Sequence, residues 1–316
     1  MTSALTQADH VTLRARLAAT VQPEWRTRFA PAPTGHLHLG HAVNAVYVWS
    51  IARAFAGSVI VRIEDHDRQR SRQEYETSIR DDLTWLGLHG DNLSLGLPDR
   101  LRQSDADHDY AAALTALERR GVVYPCRCSR REIASLGQGE TELRYPGTCR
   151  PAGVSADATP ARRLQLDDRA LWFDDLRHGT LVQQPSAQCG DLLLRDRFGQ
   201  WTYQCAVVVD DLSQGIDVII RGDDLLGSTA RQRMLAEALG ASTLPLLLHH
   251  PLITHPDGTK LSKSRGDTGL RELRSAGWSP EQVLGHAAWL GGLQREPASL
   301  PAANLARLWT ALDANG

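Results

Sequence analysis

Lysine is almost absent from this chain of 316 residues. Lysine and arginine together number 35, yet only Lys260 and Lys263 are lysines, and they lie three positions apart. An arginine-rich coding bias explains the scarcity of lysine, but it does not explain why both exceptions fall in one short segment. A guanidinium does not replace an ammonium where a compact and flexible point charge is needed. The segment around these two lysines is therefore a candidate functional loop.

Other absences narrow the class of protein. No run of about 18 apolar residues occurs, and the first residues lack the apolar core of a secretory signal, so we expect neither a membrane span nor export. The net charge of −2 argues against bulk coating of nucleic acid, although a local basic surface stays open. Five cysteines are an odd number, which favours reduced thiols in a cytoplasmic protein over a disulfide framework. A hydrophobic share of 42 % and a charged share of 23 % are typical of a globular protein.

The order of elements predicts a parallel α/β sheet. A strand at residues 25–30, a helix at 39–56 and an apolar strand at 58–63 form a βαβ unit. The further elements that we expect are a helix at 71–87 opened by a capping box of Ser71 and Glu74, a helix at 105–120 capped by Ser104, a hairpin of strands 191–195 and 201–210 around a turn at 198–200, a strand at 216–220, a helix ending near residue 240, and an apolar strand at 244–253.

Changes in this pattern divide the chain into five regions. They are a weakly patterned extension at 1–24, the first half of the sheet domain at 25–121, an inserted subdomain rich in cysteine and proline at 122–190, the second half of the sheet domain at 191–266, and a helical tail at 267–316. Ligands of open parallel sheets bind beyond the carboxyl ends of the strands. The segments after Phe29, Ile63 and Ile220 are therefore expected to meet at one site.

The segment that follows the first strand reads PAPTGHLHLGH, residues 31–41. Such a junction offers free backbone amides and the positive end of a helix dipole, which suit phosphate. Gly40 lets a base or a phosphate approach the backbone closely. His38 and His41, three positions apart, share one face of the first helical turn and can donate hydrogen bonds to phosphate oxygens. For such a pair alone, a metal site or two surface histidines remain the alternatives.

The lysine pair belongs to the sequence KLSKS, residues 260–264, inside a polar loop. Two ammonium groups and two hydroxyls there can close over a triphosphate and stabilise the charge that develops at its α-phosphate. The alternative is a solvated loop, which is the commoner role of a K-x-x-K sequence.

Together, the two segments resemble the signatures of the class I aminoacyl-tRNA synthetases, with HLGH in place of their HIGH motif and KLSKS in place of their KMSKS motif. RFAPAPTGHLHLGHA, VRIEDHDRQRS and VVVDDLSQGIDVIIRGDDLL resemble the glutamyl branch of that class, and the likeness covers about residues 26–266. It implies a Rossmann-like fold and the reaction of L-glutamate with ATP to glutamyl-adenylate and pyrophosphate, with Mg²⁺ on the phosphates. The residues with implied catalytic or ATP-binding roles are His38, Gly40, His41, Lys260, Ser262 and Lys263, of which Gly40 and Ser262 bind ATP only.

A site for glutamate can also be expected from charge. Glutamate carries two carboxylates and one ammonium, so its site should offer two cations and one anion. Arg28, Glu64 and Arg221 lie at predicted strand ends; an arginine grips a carboxylate with two parallel hydrogen bonds, and Glu64 can bind the ammonium. The resemblance adds Phe29, Ala30, Pro31, Ala32 and Tyr203 to the glutamate-binding set. Which arginine binds the side-chain carboxylate stays open, and a structural ion pair is the alternative for each charged residue.

Three cysteines, Cys126, Cys128 and Cys149, fall in the predicted insertion. Three thiolates suit a structural Zn²⁺, which takes four tetrahedral ligands. From the residues alone, the distant candidates for the fourth ligand are His178, Cys189 and Cys205. The short relatives of glutamyl-tRNA synthetase have a C-x-C…Y-x3-C zinc site, so the resemblance implies Tyr145 instead. The alternative is three reduced cysteines without a metal.

Only residues 265–316 follow the KLSKS segment, whereas an anticodon-binding domain needs on the order of 100 residues. We therefore expect no such domain, and the chain is similar to the short glutamyl-Q tRNA(Asp) synthetase family. In that family the activated glutamate passes to the cyclopentene diol of queuosine at the wobble position of tRNA(Asp). The implied partner is the anticodon loop of tRNA(Asp) carrying queuosine, and we expect a monomer without an obligate protein partner.

Two other functions remain open. One is a catalytic fragment that glutamylates the 3′ end of tRNA(Glu). The other is a catalytically inactive RNA-binding paralogue, against which the intact histidine and lysine motifs argue. Two basic pairs in the insertion are candidate phosphate contacts, with solvated surface as the alternative for each: Arg130 with Arg131, and Arg162 with Arg163.

Overall fold

In a computed structural model, the structure describes residues 5–136, 142–151, 160–253 and 269–310. The helices within these ranges are α1 (Gln7–Thr20), α2 (Leu39–Ala54), α3 (Gln73–Leu86), α4 (Asp107–Arg119), α5 (Arg130–Leu136), α6 (Pro185–Gln188), α7 (Tyr203–Ser213), α8 (Thr229–Leu239), α9 (Leu270–Ser275), α10 (Pro280–Leu290) and α11 (Arg307–Thr310). The strands are β1 (Arg26–Phe29), β2 (Ser58–Ile63), β3 (Leu101–Arg102), β4 (Val123–Cys126), β5 (Ala161–Leu164), β6 (Leu171–Asp175), β7 (Gly179–Gln183), β8 (Leu192–Arg195), β9 (Val218–Gly222) and β10 (Leu246–His250). None of these helices has the length and apolar character needed to cross a membrane.

Parallel strands form the centre of the fold, as predicted. One sheet has the order β1-β2-β3, and a second has the order β7-β6-β10-β9, in which only the β6–β7 pair is antiparallel. The two sheets meet where β1 lies beside β9, and the Asp217 amide donates to the carbonyl oxygen of Arg26 over 2.9 Å. The carboxyl ends of β1, β2, β9 and β10 are thereby brought to one edge.

A third, antiparallel sheet of order β4-β5-β8 carries the first cysteine, Cys126, at the end of β4. Strands β6 and β7 lie within the range 122–190 that the sequence assigns to an insertion, yet they pair with the main sheet. The alternating burial of β6, from Leu171 to Asp175, shows why: its inward side chains complete the core beside β10. The remaining region boundaries stay predictions.

Helix α2 is the most deeply buried helix of the main core. Its residues from Ala42 to Ala52 are almost all inaccessible, and it packs between the strands on one side and α10 on the other. This burial fixes the helix start, and with it the HLGH segment, against the end of β1.

Most of the region 1–24, which the sequence analysis assigns to an extension, forms the helix α1. A capping box joins Thr6 and Asp9, and Leu13 and Leu17 are buried in the main core. Leu13 and Leu17 are buried while Val11 and the alanines of this helix are exposed, so its apolar residues show little periodicity and the helix is hard to recognise from the sequence.

The prediction of a second hairpin strand at residues 201–210 is wrong, because most of these residues form helix α7. The chain forms the turn, closes it with a bridge between Arg195 and Trp201, and then enters helix α7. The Thr202 hydroxyl accepts the Cys205 amide and so caps this helix. The apolar run in α7 is continuous because the helix is buried on nearly every side, and such a run does not distinguish a helix from a strand.

Two predicted helix caps are absent. Helix α3 begins after Arg72 rather than at Ser71, and helix α4 begins after Ala106 rather than at Ser104, in both cases without a side-chain capping bond. The helix ends were better predicted, since Gly87 adopts the left-handed conformation after α3.

Candidate active site

A cleft of about 480 Å³ opens at the shared edge of β1, β2, β9 and β10. The structure brings the three expected segments together here. The predicted site residues that line the cleft are Arg28, Phe29, Ala30, Pro31, Ala32, His38, Gly40, His41, Glu64, Tyr203 and Arg221. Lys260, Ser262 and Lys263 lie outside the described residues. The roles of all these residues remain predictions.

His38 and His41 form the N-terminal cap of α2. Nδ1 of His38 accepts the Gly40 amide over 3.0 Å, and Nδ1 of His41 accepts the His38 amide over 3.1 Å. The two ring centroids are 4.0 Å apart. Since each Nδ1 is an acceptor, a neutral ring carries its proton on Nε2. The cap therefore makes each Nε2–H a hydrogen-bond donor at the helix end where phosphate binds best.

Gly40 is needed for this cap. A Cβ at position 40 would lie 2.8 Å from Cε1 of His38, which is closer than side-chain carbons approach. The sequence suggests glycine here for the sake of a ligand; the structure adds that glycine lets the imidazole fold back onto the helix start.

An acid-rich ion cluster lies on one side of the cleft. Arg62 is only 1 % exposed, and its guanidinium donates to Asp211 (3.0 Å) and Glu64 (3.1 Å) and lies 3.5 Å from Asp210. Arg28 donates to Asp211 through Nε over 3.2 Å. Three carboxylates therefore face two guanidinium groups, which leaves one formal negative charge in excess. Burial raises the pKa of Glu64, and the positive charges of Arg62 and Arg28 oppose that rise.

Arg221 lies in the same cleft but has a different environment. It is 4 % exposed, and its guanidinium donates to Nε2 of His249 (2.8 Å), to Gln232 Oε1 (2.6 Å) and to the Thr229 hydroxyl (2.9 Å). None of these partners is an acid, and no described carboxylate forms an ion pair with Arg221. Burial accordingly lowers the pKa of this guanidinium. A buried cation without an acidic partner is costly and creates a site for an anion.

Behind Arg221, His249 is held by Asp175. The ring nitrogen Nδ1 of His249 and the Asp175 carboxylate are 2.7 Å apart, and the same oxygen accepts the His249 amide over 3.0 Å. We assign the ring proton to Nδ1, since Nε2 accepts from Arg221. Burial lowers the pKa of His249, so the ring stays neutral.

Asn44 and His250 also line the cleft, and neither was predicted as a site residue. The Asn44 amide donates to Nε2 of His250 over 2.9 Å, and the imidazole of His250 stacks on Tyr47 with centroids 4.8 Å apart. Burial lowers the pKa of His250 to about 4. His249 and His250 lie at the carboxyl end of β10, a strand that the sequence predicts. Since ligands of parallel sheets bind beyond such ends, both histidines could have been predicted as site residues.

The three predicted cysteines cluster outside the cleft. Their sulfur atoms lie within 4.8 Å of one another, and Cys128 and Cys149 approach to 3.5 Å. Tyr145 completes the group: its Oη lies 3.4 Å from the Cys126 sulfur and accepts the Cys149 amide over 2.9 Å. Tetrahedral zinc with ligands at about 2.0–2.3 Å needs this spacing, so the donors fit a structural zinc. The distant candidates are placed elsewhere: His178 pairs with Asp223, Cys189 bonds backbone carbonyls, and Cys205 is buried in α7.

Arg163 lies directly beside this cluster. Its Nε is 3.4 Å from the Cys126 sulfur, its guanidinium carbon lies 3.8 Å from the Tyr145 ring centroid, and Nη1 donates to the Asp191 carbonyl. Arg163 is buried and forms no ion pair with a described carboxylate, whereas Arg162 pairs with Glu118. This basic pair is therefore occupied within the protein and offers no pair of free phosphate contacts.

Comparisons with known proteins find similar sequences over most of the chain. The catalytic-domain model of the tRNA synthetases class I (E and Q) matches residues 24–297. A protein named glutamyl-Q tRNA(Asp) synthetase, from Symbiobacterium thermophilum, is 41 % identical over 301 residues, which cover 89 % of this chain and 93 % of that protein. Glutamate--tRNA ligase 2 of Syntrophus aciditrophicus is 40 % identical over 292 residues, which cover 87 % of this chain and 60 % of that protein.

A solved structure extends the likeness to the fold. Glutamate-tRNA synthetase from Elizabethkingia anophelis superposes with a TM-score of 0.74 at 24 % sequence identity, over 91 % of this chain and 66 % of that chain. The matched range of the family model contains the capped histidines, the ion cluster and Arg221. The chain therefore belongs to the class I tRNA synthetases of the glutamate and glutamine (E and Q) group.

Proposed function

We propose that this chain activates L-glutamate with ATP to form glutamyl-adenylate, and transfers the glutamyl group to queuosine at the wobble position of tRNA(Asp). The proposed activation of glutamate rests on one observation. A negatively charged cluster and Arg221, a cation without a described acidic partner, share one cleft. The queuosine half is supported by the name of the Symbiobacterium relative, which is matched over nearly its whole length.

The charges of the cleft orient the amino acid. Its ammonium binds at Glu64, where the ion cluster has one negative charge in excess. Arg221 binds the side-chain carboxylate, because its charge is not balanced by an acid, whereas Asp211 already balances Arg28. This orientation directs the α-carboxylate toward the HLGH segment. Of the two arginines that the sequence left open, Arg221 is thus the one proposed to bind the side-chain carboxylate.

Activation requires an oxygen of the α-carboxylate to attack the α-phosphorus of ATP, while the bond to the β-phosphate breaks and pyrophosphate leaves. The Nε2–H groups of His38 and His41 donate to phosphate oxygens during this step, and the family resemblance assigns the same task to Lys260, Ser262 and Lys263. Such donors contribute most where the charge develops in the transition state. Mg²⁺ brought with ATP would neutralise part of the phosphate charge.

In the second step, a hydroxyl of the cyclopentene diol attacks the activated carbonyl and the bond from the carbonyl carbon to the phosphate oxygen breaks. An ester forms, and AMP and the hydroxyl proton leave. A ring diol resembles the ribose diol of a tRNA terminus, so a synthetase cleft can accept either.

We also propose that Cys126, Cys128, Tyr145 and Cys149 hold one structural zinc ion. Four protein donors leave no position for a substrate, and the ion would stabilise the small antiparallel sheet. The proposed setting is the cytoplasm, where the cysteines stay reduced, and none of the five forms a disulfide.

The deciding experiment has two stages. Glutamate-dependent exchange of pyrophosphate into ATP is measured first without RNA, and we expect it to occur. Radioactive glutamate is then offered with queuosine-containing tRNA(Asp), queuosine-free tRNA(Asp) and tRNA(Glu), and the ester is located on the RNA. Label on the queuosine-containing anticodon loop is the expected result, and its absence there would refute the proposed acceptor.

A second acceptor is favoured by the Syntrophus relative, whose name is that of a glutamate--tRNA ligase. Transfer to the 3′ end of tRNA(Glu) would follow the same activation. Label on tRNA(Glu) alone would decide for this alternative, and a lack of exchange would favour a catalytically inactive RNA-binding paralogue.

A further inference from the structure

A second cleft, of about 620 Å³, lies next to the candidate active site. One wall is the start of α5, and the other is the turn at residues 195–201 between β8 and α7. Thr202 and Gln204 line this cleft, while Tyr203 between them lines the cleft at the strand ends. The two clefts therefore lie on either side of one helical turn, and the proposed activation of glutamate makes no use of the second one.

The turn at 195–201 presents an exposed aromatic ring on a backbone that is ordered by hydrogen bonds. Phe198 is 69 % exposed, and the guanidinium carbon of Arg197 lies 4.9 Å from its ring centroid. The Asp196 carboxylate accepts the amides of Phe198 and Gln200, each over 2.8 Å, and the Asp196 amide donates to the Gln200 carbonyl. Because the backbone is already ordered, a ligand that stacks on this ring loses little affinity to ordering the turn.

The charges at this cleft favour an anion. Its acids already have partners: Glu142 pairs with Arg231, Asp191 with Arg150, and Asp196 holds the turn. Arg130 and Arg197 are exposed and line the cleft, and neither forms an ion pair with a carboxylate in the described part of the chain. Arg197 does help to lower the pKa of Glu132, after the hydrogen bonds from Ser129. Two cations are thus available around one exposed ring.

We propose that this second cleft binds unpaired nucleotides of the RNA acceptor, with a base stacked on Phe198 and backbone phosphates at Arg197 and Arg130. The proposal rests on the function proposed above. An unpaired nucleotide offers a flat base and a phosphate, and proteins bind such nucleotides through aromatic rings and arginines. A loop bound here would extend past the first turn of α7 toward the adenylate.

The stacking is tested with Phe198→Ala and Phe198→Trp. We expect Phe198→Ala to raise the dissociation constant for queuosine-containing tRNA(Asp) by about 5- to 100-fold, the range for losing one stacked base. Phe198→Trp should keep the parent affinity, because it keeps an aromatic face. The matched control is Trp172→Ala, which removes a ring that is 66 % exposed on β6 but lies outside the cleft.

The phosphate contacts are tested through salt. Arg130→Gln and Arg197→Gln should each reduce the slope of log affinity against log salt by about 0.7, the value for one phosphate contact on a single strand. Phe198→Ala should leave that slope unchanged. Arg131→Gln is the charge-matched control, since Arg131 is exposed on α5 without lining the cleft.

Glutamate-dependent pyrophosphate exchange without RNA separates this proposal from the proposed function. Weakened RNA binding with normal exchange supports the proposal. Parent-like RNA affinity in Phe198→Ala, together with parent-like salt slopes in Arg130→Gln and Arg197→Gln, would overturn it, as would a loss of exchange equal to the loss of RNA binding. A parent protein that exchanges pyrophosphate but does not glutamylate tRNA(Asp) would instead refute the proposed acceptor.

Discussion

Nε of Arg221 donates a hydrogen bond to Nε2 of His249 over 2.8 Å, deep in the candidate active site. A neutral imidazole orients the guanidinium without neutralising it, so the positive charge stays available to a substrate. His249 is in turn oriented by Asp175. The pair therefore explains how an arginine can be both rigid and uncompensated.

Replacing His249 should weaken glutamate binding more than it slows chemistry. We expect His249→Leu to raise the KM for glutamate by about 10- to 100-fold, since a hydrogen bond to a charged group contributes about 1.5–3 kcal/mol. The change in kcat should be smaller, because Arg221 binds a part of the substrate that does not react. Pyrophosphate exchange measures both constants, with His108→Leu on the exposed face of α4 as control. Equal effects on kcat and KM would contradict this role.

Arg221 and Arg28 should differ in their effect on substrate choice. Arg221→Gln should lower the affinity for glutamate by at least about 30-fold and bring the preference for glutamate over glutamine close to one, because the buried charge that rejects a neutral amide is gone. Arg28→Gln should weaken both amino acids alike, since Asp211 already balances Arg28. Exchange with each amino acid gives the two ratios, and a selectivity change in Arg28→Gln alone would reverse the assignment.

Glutamate binding should depend on pH through Glu64. Burial raises the pKa of this carboxyl, and only its ionised form attracts the substrate ammonium. Affinity should therefore rise as the pH rises through the raised pKa and level off above it. Calorimetric titration of glutamate without ATP, between about pH 5 and about pH 7, measures this without the titration of ATP phosphates. Glu64→Gln should bind weakly at every pH; a persisting pH dependence in that variant would exclude Glu64 as its source.

Arg163 should strengthen zinc binding. In the proposed zinc site, three thiolates and one tyrosinate would leave a net negative charge, and Arg163 is a buried cation beside the Cys126 sulfur and the Tyr145 ring. We expect Arg163→Met to lower zinc affinity by about 10- to 100-fold, the usual effect of losing a group that supports metal ligands. Competition with a chelator and the metal content of the purified protein measure it. Arg162→Met is the neighbouring control, and equal zinc retention in both variants would contradict the role.

The lysine motif yields a prediction that rests on the family resemblance, since both lysines lie outside the described residues. Lys263→Ala should slow adenylate formation by about 10²–10³-fold, the scale for losing one preorganised charge donor. Lys263→Arg should fail to restore the rate, because guanidinium is bulkier and less compact than ammonium. Pyrophosphate exchange at saturating ATP measures both, and a parent-like rate in either variant would refute the requirement for lysine.

The sequence predicts the centre of this fold well. The strand at 58–63 is correct to the residue, and the strand-end rule brought Arg28, Glu64 and Arg221 into one cleft, because a buried parallel strand has a distinctive apolar run and a defined end. The sequence did not predict the helices α1 and α7. Helix α1 buries too few residues to show a period, and α7 is buried on so many sides that its period disappears.

The partners of the site residues could not be read from the sequence. Asp211 lies 183 positions from Arg28, and His249 lies 28 positions from Arg221, so only the folded chain decides which arginine is neutralised. Lone arginines look alike in a sequence, and their difference arises from tertiary contacts. The grouping of Cys126, Cys128, Tyr145 and Cys149 was easier to predict, since their short spacing and the family pattern already suggested it.

The cap at the start of α2 changes what the presence of His38 and His41 implies about activity. His38 and His41 hold the first turn of a buried helix through their own ring nitrogens, so a descendant that had abandoned catalysis would still lose helix stability by discarding them. The presence of His38 and His41 is therefore also compatible with a protein that has lost catalytic activity. Arg221 is stronger evidence for a functional site, because a buried cation without a described acidic partner destabilises the folded protein. A bound anion would offset that cost, so Arg221 points to a binding site more directly than the two histidines do.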